Sequence, residues 1–184
     1  VLNHMREKLI GYQMEYGNLY GLEATPAESA TFRFARLDRE RFSGIRTAGH
    51  EGDTPYYTNS TKLPADYDGT LQGALINQDS LQPLYTTGTV FHVYMERELE
   101  DWKKARDLLS SMITEHHIPC FTLSPVYTIC QTCGYLPGRQ ERCPKCNGAA
   151  DVYSRIAGYY RPVHDWNDGK AQEFRNRIMF RIGE

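Results

Sequence analysis

The sequence predicts an α/β chain that ends in a small cysteine-rich unit. Three observations carry that expectation. Strand-like and helix-like segments alternate through residue 124, a pattern that favours strands packed under helices. The strands are too few to close a barrel alone. After Pro125 the character changes to paired cysteines, glycines and a compact loop.

The elements follow in order. Leu2, Met5, Leu9, Tyr12 and Tyr16 lie three or four apart, an amphipathic helix over residues 1–16 that Gly17 and Asn18 end. Residues 19–29, "LYGLEATPAES", read as a strand running into a loop, with Pro26 closing the extended part. Residues 30–42 form a short helix, "HEGDTP" a loop, and "YYTNSTKL" (56–63) a hydroxyl-rich strand. A second helix is expected over 70–84, followed by the best strand of the chain, "TGTVFHVYM". Residues 97–116 are the clearest helix, with Leu99, Trp102, Ala105, Leu108, Leu109 and Met112 on one face. "IPCFTLSP" is a short buried strand, and a terminal helix falls near 168–180. Trp102 and Tyr12 are assigned to the core. His92, inside an apolar strand, reads as a hydrogen-bonded core histidine.

Composition narrows the function classes. The chain has 184 residues, 40% hydrophobic and 24% charged, with net charge −2, values typical of one ordinary domain or one with a small appendage. No apolar run reaches the length of a transmembrane helix. The first residues lack a signal peptide's apolar core. Near-neutral charge argues against generic nucleic-acid binding. A helix that begins at Val1 without Met or a cap implies a piece of a longer chain.

Four of the five cysteines form two C-x-x-C pairs, Cys130/Cys133 and Cys143/Cys146, separated by nine residues. Each pair can wrap one side of a metal, and together they complete a tetrahedron of thiolates. Gly134, Pro144 and Gly148 supply the tight turns. Four thiolates leave no open position for a catalytic water, so the expected metal is a structural Zn²⁺ in a reducing cytoplasm. A disulfide or redox pair is the competing reading. Arg139, Arg142 and Lys145 lie on this unit, but Glu141 and Asp151 dilute any nucleic-acid face. Cys120, beside Ile118 and Phe121, reads as a small buried hydrophobe.

Behind the cysteines stands "YSRIAGYYRPVHDWNDGK", Tyr153 to Lys170, where Gly158 is set among large side chains. A plain turn uses glycine for its positive φ. With the four cysteines immediately before it, this segment resembles the glycyl-radical loop of anaerobic (class III) ribonucleotide reductases. The resemblance extends upstream through "GLEATPAESATFRFARLDRERF", "YYTNSTKLP", "TTGTVFHVYM" and "IPCFTLSPVYTIC".

The resemblance implies that Gly158 stores an unpaired electron. Glycine suits that role, because its Cα can flatten and spread spin over the flanking amides. Ile156, Tyr159 and Tyr160 would keep the loop packed and dry, and Pro162 would stiffen its exit. By the same resemblance, the radical would be generated by a separate iron–sulfur activase that uses S-adenosylmethionine. The fold implied is part of a ten-stranded α/β barrel (residues 1–124), a zinc ribbon (125–150), then the radical loop and terminal helix (151–184).

Ribonucleoside triphosphates are the implied substrates, formate or a thioredoxin-like protein the reductant, and the rest of the reductase chain, as a homodimer, the assembly; DNA and membrane are not expected partners. None of the five cysteines fills the family's thiyl-radical role, so the chain alone is expected to be inert. Glu23 stands where formate-dependent members can carry a tyrosine, as a candidate acid or base, which leans toward a thioredoxin-like reductant; Glu28 competes for the part. Asn59, Ser60, Thr61, Thr87, Gly88 and Thr89 are candidate phosphate contacts, although the family usually has two glycines where Thr87 and Gly88 stand. A stand-alone radical-bearing "spare part" for a cleaved reductase and a zinc-ribbon binding module are the competing readings.

Overall fold

The computed structural model describes residues 1–182. The first helix, α1 (Leu2–Tyr16), ends at Gly17, whose φ of 69° is the left-handed cap that glycine supplies without strain. Then come α2 (Ala30–Arg41) and α3 (Leu71–Asp79), the latter capped by the Thr70 hydroxyl accepting from the Gly73 amide, with a 3₁₀ turn at Gln82–Leu84. Strand β1 (Phe91–Met95) leads into α4 (Trp102–Glu115), capped by Asp101, and β2 (Phe121–Pro125) returns parallel to β1 with Phe91 opposite Phe121. This βαβ unit is the α/β core. Ala74, Leu75, Val93, Met95 and Met112 are buried where α3 and α4 cover β1.

A second, antiparallel sheet follows. Its strands are β3 (Tyr127–Cys130), β4 (Gly134–Pro137), β5 (Ala150–Arg155) and β6 (Tyr160–Pro162), in the order β4-β3-β5-β6. A 3₁₀ turn at Val163–Asp165 and helix α5 (Asp168–Asn176), capped by the Asn167 side chain, close the described chain. Val126, Ile156, Trp166 and Phe174 form the core under this sheet. The fold is therefore mixed α/β. The described strands form two-stranded parallel and four-stranded antiparallel sheets and close no barrel.

Several local expectations need correction. Residues 56–63 are not a strand: Tyr56 makes one isolated bridge to Ala48, and the described residues continue no ladder beyond it. Residues 19–29 likewise reduce to a single bridge, Glu23 to Gly88. Trp102 is 66% exposed, because it opens the first turn of α4, where the Arg106 guanidinium stands 5.5 Å from its ring. Tyr12 is also exposed, on a helix that buries none of its residues. Cys120 is exposed, just ahead of β2. His92 is hydrogen-bonded as expected, Nδ1 lying 2.8 Å from Thr122 Oγ1.

One buried ion cluster lies along α5 and its C-cap. Glu173 meets Lys170 at 2.6 Å and Arg177 at 2.8 Å. Burial pushes its carboxyl up, but the two cations outweigh burial and hold it below the ordinary value of 4.5. Because the folded pKa lies below the unfolded one, this contribution is complete above about pH 4.5 and is lost as pH falls through the lower folded value. Glu173→Gln is expected to cost about 3–5 kcal/mol at neutral pH, since it strands two buried cations. Denaturant titration should show the gap between variant and parent closing in acid.

Candidate functional site

The two C-x-x-C pairs come together at the end of the antiparallel sheet. All four Sγ atoms lie within 4.8 Å of one another, and Cys130 Sγ is 3.6 Å from Cys146 Sγ. A tetrahedral tetrathiolate with ~2.3 Å metal–sulfur bonds places its sulfurs roughly 3.8 Å apart. Each pair forms the same kind of knuckle. The Cys133 amide points at Cys130 Sγ (3.4 Å), and Gly134 turns the chain with φ 77°. In the other knuckle the Asn147 amide bonds Cys143 O (2.8 Å), and Asn147 itself takes the positive φ, 57°. Asparagine tolerates that region better than most side chains. The expectation named Gly148 for this turn and missed Asn147.

The electrostatics favour a bound cation. Cys133 is pushed up to about 12, chiefly through its contact with the Cys146 sulfur. At Cys143 burial pushes upward, but the Cys146 and Lys145 amides outweigh it and bring the thiol to about 6. The sulfurs resist ionising together unless a positive ion neutralises them. The residues thus fit a metal such as zinc. Of the basic side chains nearby, Arg139 sits against Glu141 (3.5 Å) and Arg142 against Asn147 O (3.5 Å).

The four-cysteine end connects directly to Gly158. Cys130 pairs with Ala150 in register between β3 and β5, and five residues on, Arg155 pairs with Tyr160 across the β5–β6 hairpin. Gly158 lies in the turn of that hairpin, closed by Ile156 N to Tyr159 O at 3.1 Å. Ile156 is 1% exposed and anchors the turn in the Trp166/Phe174 core. Tyr160 bonds Pro125 O at 3.1 Å.

The expectation of a dry, wrapped glycine is corrected here. Gly158 and Tyr159 are both exposed: no heavy atom lies within 4 Å of a Cβ placed on Gly158, and Tyr159 reaches Glu28 only through its hydroxyl. The Gly158 φ lies outside the left-handed region, and an added Cβ would meet no heavy atom within 4 Å. Neither conformation nor space asks for glycine at 158.

Glu28 turns out to be a clasp on this loop. Its carboxylate accepts from Tyr159 OH (2.9 Å) and Arg161 (3.3 Å), and its carbonyl accepts from Asn167 Nδ2 (3.1 Å). Behind the turn lies a cavity of about 100 Å³ lined by Ala157, Lys62, His92, Tyr94 and Arg177, among others. Burial, reinforced by Lys170, lowers Lys62 to about 8, and burial together with Lys62 lowers His92 to about 3. Lys170 and Glu173 also line the cavity, so its wall carries both signs of charge.

The candidate substrate residues are dispersed among other duties. Asn59 clamps the Ala27 backbone on both its groups (3.1 and 3.2 Å), Thr61 meets Tyr85 OH (3.1 Å), and Thr89 bonds Gln82. Ser60, with φ 53°, and Thr87 are exposed. Glu23 is exposed and runs alongside Gly88.

This arrangement has close counterparts. The sequence profile of the anaerobic ribonucleoside-triphosphate reductase family matches residues 1–180. The chain belongs to that family. Anaerobic ribonucleoside-triphosphate reductases of Haemophilus influenzae and Escherichia coli are 24% and 23% identical over 97% of this chain, and the phage T4 enzyme 25% over the same share. The match takes in 26% of each bacterial relative and 30% of the phage one, so the chain spans little more than a quarter of their length. Among solved structures, an anaerobic ribonucleotide reductase superposes with TM-score 0.76 at 21% identity, over 97% of this chain and 28% of that one. The Thermotoga maritima reductase, solved in complex with dATP and CTP, gives 0.71 at 21% identity, over 94% and 27%. No helix among the described residues is long and apolar enough to cross a membrane.

Proposed function

We propose that this chain is the radical-bearing C-terminal portion of an anaerobic reductase of ribonucleoside triphosphates, with Gly158 storing the unpaired electron. One observation carries the reading: glycine stands at 158 although neither positive φ nor close packing requires it there. What glycine alone retains in such a place is chemical, a Cα that can become planar between two amides without a substituent. A partner iron–sulfur activase using S-adenosylmethionine supplies the hydrogen-atom abstraction.

The chain's own residues hold that carbon in place. Cys130, Cys133, Cys143 and Cys146 would bind Zn²⁺ and fix the end of the sheet, and β5 and Ile156 carry that rigidity into the turn. Glu28 clasps the outer side through Tyr159 and Arg161. The uncovered glycine, together with exposed Met5, Ile10, Tyr12, Met14 and Leu19, supports docking against the rest of a reductase; the assembly would be a homodimer in the cytoplasm. Glu23 would serve as acid or base toward the ribose, with formate or a thioredoxin-like protein as reductant. The exposed Ser60 and Thr87 hydroxyls are the side chains left to meet phosphate. No cysteine is placed for the thiyl step, so the isolated chain is inert.

Oxygen tests the reading. Air admitted to the activated protein should break the backbone at Gly158 and release a C-terminal peptide of about 26 residues, read by mass spectrometry. An unbroken chain after activation and exposure contradicts it.

A further inference from the structure

The inner side of the glycine turn carries a cation whose position is fixed from several directions. Arg155 Nη1 donates to the Gly158 carbonyl oxygen at 2.7 Å, and its Nε donates to Ser124 Oγ at 3.1 Å. The guanidinium carbon stands 4.9 Å from the centre of the Tyr160 ring, within cation–π range. Arg177 Nη1 holds the Arg155 carbonyl at 3.3 Å, and Ser124 lies on β2, so the α/β core and the hairpin both anchor the side chain. A bond needed only to close the hairpin would not require a charged donor, because Ile156 and Tyr159 already close it.

We propose that Arg155 stabilises the Gly158 radical electrostatically by polarising its carbonyl; this rests on Gly158 being the radical site. In a planar Cα radical, density can move from the residue's amide nitrogen toward its carbonyl oxygen. That form carries spin on nitrogen and negative charge on oxygen. A guanidinium 2.7 Å from that oxygen favours it. The unreacted Cα–H residue has no such form, so the interaction strengthens on radical formation, the condition for selective stabilisation. Abstraction removes one proton and one electron from Cα together, as a hydrogen atom, to the activase's acceptor. Arg155 gains and loses nothing in that step. Lysine would keep the charge but could not reach Ser124 and the carbonyl with the same planar fork.

The test uses the native protein carrying this chain, activated anaerobically with S-adenosylmethionine and its activase, with bound metal measured alongside. Wild type, Arg155→Lys, Arg155→Gln and Ser124→Ala are compared by paramagnetic resonance. In Arg155→Gln the α-proton splitting should widen and the nitrogen coupling shrink, as spin returns to Cα. Ser124→Ala should shift both in the same direction by less, and Arg155→Lys should fall between wild type and Arg155→Gln. Unchanged couplings in Arg155→Gln overturn the proposal even if radical yield falls, since yield alone reports a displaced loop. Should Arg155→Gln lose its metal, unchanged couplings in Ser124→Ala overturn it instead. Wild-type protein with no glycine-centred signal overturns the underlying radical assignment, a result distinct from both.

Discussion

Gly158→Ala is expected to fold at least as well as the parent and to form no radical. At a φ outside the left-handed region, with nothing within 4 Å of the new methyl, alanine meets no strain. It also restricts the unfolded chain, which stabilises by about 0.4–1 kcal/mol, or a rise of up to about 4 °C in Tm for a chain this size. Gly169 provides the contrast. There an added Cβ would sit 2.5 Å from Phe32 Cβ, where α5 approaches α2. Gly169→Ala should cost about 1–3 kcal/mol by overpacking. Thermal unfolding of the two variants beside the parent separates a glycine kept for packing from one kept for chemistry. If Gly158→Ala unfolds several degrees early, the turn needs glycine structurally and the argument from φ and space fails.

Removing Zn²⁺ from the proposed four-cysteine site should have the second large effect. Structural zinc sites of this ligand type contribute an apparent 10–16 kcal/mol at neutral pH, and binding is coupled to folding. Without it, four sulfurs within 4.8 Å would have no common counter-ion, and the knuckles would rest on their own backbone bonds and the small Leu136 cluster. The damage should travel. β3 is an inner strand paired on both sides, to β4 from Cys130↔Gly134 and to β5 from Cys130↔Ala150, and β5 ends at Arg155 beside the turn. Chelation, or Cys143→Ser, is expected to expose the amides of residues 127–162 to hydrogen exchange while β1 and β2 stay protected. Radical yield should fall with it. A Cys143→Ser protein that acquires the radical at the parent's yield would contradict this coupling.

What the sequence made legible was local. Glycine at 17 ends a helix whose apolar spacing is visible by eye, and the C-x-x-C spacing alone foretold the knuckles; the expected helix at 97–116 in fact begins at Trp102, where Asp101 caps it. What it hid depended on distant partners. Residues 56–63 have strand-like side chains but no neighbouring edge, and β-propensity counts only where one exists. The Glu28 clasp joins residues more than 130 positions apart, so no local pattern encodes it. Trp102 fits the helical period of α4, yet periodicity cannot say that the first turn lies beyond the core. Arg155 stood in plain view three residues before Gly158, but only geometry shows that it bonds the glycine carbonyl.

Paramagnetic resonance of the activated protein, grown with glycine deuterated at Cα, tests the central claim most directly. A glycine-centred radical shows a doublet from its single α-proton in unlabelled protein. That doublet should collapse to a narrow line on deuteration and be absent from Gly158→Ala. A signal that keeps its splitting with deuterated glycine, or that survives in Gly158→Ala, would place the unpaired electron elsewhere.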